Sequence, residues 1–344
     1  MKKVLFVTFP FDLGGRTIEN NFNKVFKQDF EFYRFSEKHY DLIGLKKMDK
    51  FADYVTRIKS IFTLRAKVKA AIKEEKTILF YGVFTAIASI FLWNNRNSAI
   101  TFDWNRSLKD YTLGNKIKKD FGFYIHKFIL HRFTKILVCS DFLKQNLIEV
   151  FKIEERFIYK VLAPFDVNSL NIIPRESKKP LKVLFVGGEI KRKGADEIIK
   201  YFNNGRLKGI NLTMVTNDRV ADINGINFRP NIKFGTSEHS EIFAQSDILL
   251  LPTRFDSYPM ILGEAASAGL LIFTTSNALI ASEVTENNVN GFILSNPVDC
   301  IEKMLEVIEA QISIDDLKHK SYESFCEKYS YENVRESYIN VLNK

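Results

Sequence analysis

The sequence predicts an α/β protein built from two doubly wound parallel-sheet domains. Three observations carry that expectation. Short apolar runs alternate with longer amphipathic stretches along the chain, the pattern of βαβ units. The run Lys2-Lys3-Val4-Leu5-Phe6-Val7 is echoed by Leu181-Lys182-Val183-Leu184-Phe185-Val186, and a Gly-Gly pair follows each within ten residues. The 344 residues leave room for two domains of about 100–200 residues each.

In the first half, strands are predicted at Lys3–Thr8, Thr77–Tyr81, Ala99–Phe102, Lys135–Cys139 and Ile158–Leu162, each an apolar or β-branched run bounded by polar residues. Helical spacing covers Asn20–Phe26 and Phe142–Val150, the latter opened by Ser140-Asp141 as a cap. Thr77–Asn95 runs for 19 residues without a charge, enough to span a bilayer. Gly82 divides it into a β-branched strand and a helical Ala86–Trp93, so a buried strand and a core helix are expected instead. The N-terminus lacks the longer apolar region and small-residue cleavage site of a signal peptide. Asp166–Pro180 loses its periodicity and reads as a linker. Beyond it, strands are predicted at Leu181–Val186, Asn211–Thr216, Ile232–Phe234, Ile248–Leu251, Leu270–Thr274 and Phe292–Leu294, with a helix over Ala195–Phe202. Ligands of such sheets bind beyond the carboxyl ends of the strands, which points to the cleft between two facing domains.

Composition narrows the function. With 46% hydrophobic and 26% charged residues, the chain is neither fibrous nor mainly disordered. Its three cysteines (Cys139, Cys300 and Cys326) are widely spaced without a Cys-x-x-Cys pair, so neither a disulfide framework nor a zinc site is expected, and a reducing cytoplasm is the predicted setting. The five histidines show no metal-ligand spacing. Charge is unevenly spread: residues 1–176 hold 31 Lys and Arg against 19 Asp and Glu, whereas 177–344 hold 19 against 22. The basic half either reflects a lysine-rich composition or faces something anionic, such as a membrane surface. Lys116–Phe133 interleaves lysines and an arginine with Phe121, Phe123, Tyr124, Phe128 and Phe133. That stretch, like Arg57–Lys73, is either a core helix with a solvated side or a face for an anionic bilayer or lipid-linked acceptor. Without a recognised nucleic-acid reader motif, nucleic acid is not an expected partner.

Three loops carry candidate chemistry. Gly14-Gly15 follows the first strand and precedes a helix, where adjacent glycines admit a phosphate or sugar, or simply form a tight turn. Gly187–Gly194 sets Lys191, Arg192 and Lys193 between glycines at a strand tip, placed to neutralise a diphosphate or merely solvated. The richest segment is Leu249–Gly269, in which a buried strand leads into a helix of small residues, with Asp256 in the loop and Glu264 in the helix. Eight positions between the carboxylates suit opposite ends of one ligand better than a shared metal, and a carboxylate can accept two hydrogen bonds from ribose hydroxyls.

The run Asp256-x7-Glu264-Ala265-x-Ser267-Ala268-Gly269, preceded by Leu251-Pro252-Thr253, resembles the Glu-x7-Glu region of retaining GT-B glycosyltransferases of family 4. Arg192-Lys193-Gly194 is similar to that family's basic loop, Gly14-Gly15 to its first glycine loop, and Glu283 with Asn290-Gly291-Phe292 to its downstream acidic and glycine stretch. The likeness covers most of residues 180–295, and the first half loosely. It implies a GT-B fold of two Rossmann-like domains with an interdomain cleft: 1–165 on the acceptor side, a linker at 166–180, a nucleotide-sugar domain at 181–316, and a C-terminal helical stretch from residue 317 to 344 packing back on the first domain. It further implies transfer of a hexose-type sugar from a nucleotide-diphosphate sugar to a glycan or lipid-linked acceptor with retention, in cell-surface polysaccharide synthesis. The cysteines, not the resemblance, point to the cytoplasm, and the charge of the basic half to a peripheral place on the inner face of the membrane. Glu264 would hold the ribose, Asp256 the donor sugar, Lys193 and Arg192 the diphosphate, and the backbone of Met260 and Ile261 the sugar and phosphate. No cofactor or metal is implied, since the chain has no Asp-x-Asp. Three departures mark this sequence: Gly188 where the basic loop has an arginine, Asp256 for the first glutamate, and Asp103 near the place of a histidine, where it would contact sugar or acceptor. The missing arginine and histidine motivate a second reading, a non-catalytic nucleotide-sugar or glycan-binding subunit; a third, a nucleotide-sugar epimerase on the same architecture, has the Asp256–Glu264 segment against it.

Overall fold

The computed structural model describes residues 3–8, 13–34, 52–105, 107–166, 172, 174–218, 223–233, 235–310 and 312–344, leaving aside the side chains of 13–16 and 52–58. The chain divides into two units, residues 1–164 with 331–344, and residues 165–330.

The first unit alternates strands and helices: β1 (Val4–Thr8), α1 (Leu13–Phe26), β2 (Phe30–Arg34), α2 (Ala52–Lys73), β3 (Thr77–Tyr81) and α3 (Val83–Ala88). It continues through β4 (Ser98–Thr101), α4 (Leu108–Thr112), α5 (Phe121–Leu130), β5 (Ile136–Val138), α6 (Asp141–Asn146) and β6 (Ile158–Lys160). The strands form one parallel sheet in the order β2-β1-β3-β4-β5-β6. Strands β1, β3, β4 and β5 are apolar on both faces and almost wholly buried, as helices on either side of a parallel sheet require. The uncharged stretch after Lys76 opens with β3 and α3, parted at Gly82, whose φ of 83° turns the chain; the helix covers Val83–Ala88 rather than the expected Ala86–Trp93, and residues 89–92 form turns. Among the described residues no helix is long and apolar enough to cross a membrane. Ser140 caps α6 by accepting from the Leu143 amide, and the helix widens into a π-type turn over Leu147–Phe151. In α2, Leu64, Val68 and Ala71 are buried, so its apolar stripe serves the core.

The second unit repeats the scheme: β7 (Lys182–Val186), α7 (Ile190–Lys193), α8 (Ala195–Asn203), β8 (Asn211–Val215), β9 (Ile226–Phe228) and α9 (Ser237–Gln245). Then come β10 (Ile248–Leu251), α10 (Met260–Ser267), β11 (Leu271–Thr275), α11 (Ala281–Val284), β12 (Gly291–Leu294), α12 (Pro297–Glu309) and α13 (Ile314–Lys328). Its parallel sheet runs β12-β11-β10-β7-β8-β9, so the strand order reverses between β7 and β10. The last helix, α14 (Tyr331–Leu342), belongs to the first unit and packs on α1. Tyr338 is buried against Phe22 and Phe26, and Arg335 grips Asp29 through two hydrogen bonds of 2.6 and 2.8 Å.

The structure corrects several expectations. Strand β2 was not predicted, although its Phe30-Glu31-Phe32-Tyr33 run is rich in strand-favouring aromatic residues; it is a five-residue edge strand with only its first residue buried. The third strand of the second sheet is β9 rather than Ile232–Phe234; Ile232 and Lys233 lie outside any strand, and Phe234 falls outside the described residues. Of the stretch 317–344, only α14 joins the first unit. Residues 317–330 stay with the second, because α13 packs against α10 and β11. The segment predicted as a linker also stays with the second unit, insofar as 166–180 is described.

An ionic cluster explains that attachment. Asp247, 0% exposed, accepts the Lys182 amide (2.9 Å) and pairs with Arg175 (2.9 Å) and with Lys318 of α13 (3.3 Å), itself only 2% exposed. Lys318 also donates to the Arg175 carbonyl and the Ser177 hydroxyl, and Ser177 gives two hydrogen bonds to Asp315. Removing one partner of a buried pair leaves charge uncompensated. Lys318→Met should therefore destabilise the second unit by about 3 kcal/mol, read from its denaturant midpoint. Burial works to raise the Asp315 carboxyl, but the Ser177 hydrogen bonds and Lys318 outweigh it and hold it below its ordinary 3.8. The stability this carboxylate contributes is present above pH 3.8 and is lost as pH falls through its lower folded value, so Asp315→Asn should flatten the acid limb of the stability curve.

Candidate active site

A strand-order reversal opens a crevice at the carboxyl ends of the two strands that flank it. In the second unit those strands are β7 and β10, and the loops that leave them are the two charged segments singled out in the sequence. After β7, Gly187 and Gly188 lead to Glu189, held in the left-handed region at φ 56°, and to the single turn α7 that bears Lys191, Arg192 and Lys193. The turn ends at Gly194, φ 77°, where an added Cβ would stand 1.9 Å from the Pro252 carbonyl oxygen. Only glycine permits that approach. The Arg254 amide then donates to the Arg192 carbonyl (2.8 Å), and the Thr253 hydroxyl to the same oxygen (3.2 Å).

This clamp brings the predicted cations to the predicted carboxylate. Lys193 is hydrogen-bonded through Nζ to Asp256 Oδ2, both side chains mostly buried, and its stem crosses Gly187. Arg192 donates to the Phe255 carbonyl (2.9 Å), pairs with Glu189 (3.0 Å) and stands 3.9 Å from Asp256. Lys191 is exposed and offers its carbonyl to Arg254, which is itself tied to Asp196 and Glu197 of α8. Asp256 is fixed from behind: its amide donates to the Asn277 carbonyl and its carbonyl accepts from the Leu279 amide.

Helix α10 supplies the rest. Its N-cap is Pro259, with no side-chain cap, and a helix leaves its first-turn amides without intrahelical partners, so the Met260 and Ile261 backbone opens an anion-favouring end. Every residue of α10 but Glu264 is buried. Gly263 lies under Phe165, whose ring a Cβ would meet at 2.2 Å, so the helix packs closely there and Glu264 is left as its one residue that is not buried. There Glu264 Oε2 lies 3.3 Å from Nε2 of His239 in α9, whose ring packs on Phe243. Sequence reasoning missed His239; the fold alone sets α9 beside α10. Around Glu283 and Asn290-Gly291 lie backbone ties: the Glu283 carbonyl accepts from Lys328 and Tyr329, and the Asn290 side-chain oxygen accepts from the Glu286 amide.

Asp103 lies in the first unit, half-buried just past β4. Beside it the Tyr81 phenol, at the end of β3, is pushed well up by burial and by the Asp103 carboxylate. Tyr338 is also pushed well up by burial, with Cys139 at 3.6 Å from its hydroxyl. Buried Asn105 holds the loop by donating to Asn146 (2.8 Å) and accepting from Ser107 (3.0 Å). Neither tyrosine was a sequence candidate, although the end position of Tyr81 on a buried strand was a usable sign. Gly14 and Gly15 fall inside the first turn of α1 rather than in a loop ahead of it. Among the described residues no three His, Cys, Asp or Glu side chains converge as a metal set.

Residues 180–310 match the family model described as glycosyl transferases group 1. Among solved structures, Anabaena Alr3699/HepE in complex with UDP aligns at a TM-score of 0.72 with 12% identity, covering 99% of each chain. The fold is GT-B. The lipopolysaccharide outer core galactosyltransferase WaaB shares this GT-B architecture at 0.66 and 16% identity, over 98% of this chain and 99% of that one. TarM of S. aureus aligns at 0.61 and 14%, over 83% of this chain, which spans 58% of the length of TarM. None of the curated proteins compared matches the sequence.

The Gly194 contact is testable. Gly194→Ala should cost at least about 2 kcal/mol in thermal or denaturant unfolding, since it adds a left-handed strain and a clash with backbone.

Proposed function

We propose that this chain transfers a sugar from a nucleotide-diphosphate sugar to a glycan or lipid-linked acceptor, with retention and without a metal ion, on the cytoplasmic side in cell-surface polysaccharide synthesis. The observation that carries the proposal is the meeting of Lys193, Arg192 and Asp256 at the switch-point edge of the sheet, inside the segment that matches group 1 glycosyl transferases. When the bond from the anomeric carbon to the diphosphate oxygen breaks, negative charge collects on the leaving phosphate. Lys193 and Arg192 stand to neutralise it, together with the Met260 and Ile261 amides at the head of α10. Asp256 holds Lys193 in place before the donor arrives and then accepts hydrogen bonds from sugar hydroxyls. Glu264 accepts the ribose hydroxyls, and Asp103 contacts the sugar or acceptor.

One observation favours the second reading, a binding subunit without turnover: the Lys193 charge is already matched by Asp256, and Gly188 adds no further cation. Uridine donors are the first to test, since the similar HepE was solved with UDP and with UDP-glucose. At a hundred times its Kd, the cognate nucleotide should stabilise the protein by about 2.7 kcal/mol, visible as a raised melting temperature without added metal. Glu264→Ala should abolish that shift; full turnover in this variant would sink the site assignment. Lys193→Ala should lower turnover about 10²–10³-fold while nucleotide binding persists. Binding without turnover across acceptors would favour the second reading.

A further inference from the structure

The surface around α5 carries an arrangement to which the donor chemistry assigns no role. Phe121, Tyr124 and Phe128 recur at spacings of three and four, so they form one stripe of the helix, while Phe123, Ile129 and Leu130 on the other side are buried. Phe121 is 80% exposed, Tyr124 57% and Phe128 55%. A fourth ring extends the stripe. Phe91 is 76% exposed, and the guanidinium of Arg132, just past the end of α5, lies over Phe91 at 5.8 Å and over Phe128 at 6.0 Å. Phe91 also has φ 72°, a conformation that disfavours a bulky side chain, so a strained position holds a large apolar ring out in solvent. Such a residue contributes little to the fold that carries it.

Cations rim the rings. Lys116, Lys118 and Lys119, all exposed, precede α5 and with Ile117 line an open concavity of about 680 Å3. The nearest acid, Asp120, is turned to the backbone as the N-cap, accepting from the Phe123 amide at 2.9 Å. The surrounding half of the chain is strongly basic, with 31 Lys and Arg against 19 Asp and Glu over residues 1–176. Rings that fit the boundary between headgroups and acyl chains, set among cations that match acidic headgroups, complement an anionic bilayer on both counts.

We propose that Phe91, Phe121, Tyr124 and Phe128 seat this chain on an anionic lipid bilayer, with Arg132 and the Lys116–Lys119 cations over its headgroups. The proposal is independent of the donor chemistry. It is tested by flotation of the full chain with vesicles of phosphatidylcholine alone and of phosphatidylcholine mixed with phosphatidylglycerol. Wild type should float with the mixed vesicles, should not float with phosphatidylcholine alone, and should be released by added salt. Neutralising two cations, Lys118→Gln with Lys119→Gln, should weaken vesicle binding roughly 30-fold. Phe121→Ser with Phe128→Ser should abolish it at an unchanged melting temperature. Phe91→Gly separates membrane seating from stability: it should weaken binding while leaving the melting temperature equal or higher, because it relieves the strained φ. Equal binding to both vesicle types, wild-type binding by the paired Phe variant, or a dimer in solution that this variant dissolves would each overturn the proposal.

Discussion

The close approach of Gly194 to the Pro252 carbonyl sets where the charged loops of the second unit lie. Two loops that leave neighbouring strands at the sheet's reversal point ordinarily diverge, since each runs to its own helix. Here a missing Cβ lets the end of α7 lie against the first residue beyond β10, and two hydrogen bonds to the Arg192 carbonyl lock the contact. The three-cation turn is thereby rigid where it bears Arg192 and Lys193. Their charges lie beside Asp256 instead of spreading into solvent, where surface ion pairs are worth little. Under the proposed function, a cation so preorganised would stabilise developing negative charge without reorganising.

Helix α10 obeys the complementary constraint. Its small residues let it sink into the unit, with Gly263 under the Phe165 ring and α13 packed across it. Burying every other side chain leaves one direction for the only charged one, so Glu264 emerges on the side of α9 and meets His239. The Asp247, Arg175 and Lys318 cluster supports this from below by fastening both the segment ahead of β7 and α13 to the strands. The first unit is closed in another way, by α14 returning from the end of the chain to bury Tyr338 among Phe22 and Phe26 while Arg335 holds Asp29.

Much of this architecture was readable from pattern. Buried parallel strands such as β1, β3, β10 and β11 are short, largely apolar runs, β3 being set apart from a longer uncharged stretch by Gly82, and the repeated opening run marked the second sheet. Edge strands were harder. Strand β9 has only three residues, too few to show a period, and β2, whose Phe-Glu-Phe-Tyr run does carry a strand signal, is only five residues long at the sheet's edge and buries a single residue. The unit boundary near the C-terminus was misplaced for a related reason. Both α13 and α14 are amphipathic, and amphipathicity states that a face is buried without stating against what.

The sequence by itself determined the layered α/β class, the two glycine-bounded or small-residue loops, and the residue types Lys193, Arg192, Asp256 and Glu264, because spacing and side-chain chemistry are local properties. Tertiary structure alone decided that Lys193 pairs with Asp256 across 63 positions, that Glu264 faces His239, and that Tyr81 lies beside Asp103. Each of these pairs joins segments that only the order of strands in a sheet, or the packing of helices upon it, brings together. The energy of such a contact depends on burial and distance, and neither is written in the chain until it has folded.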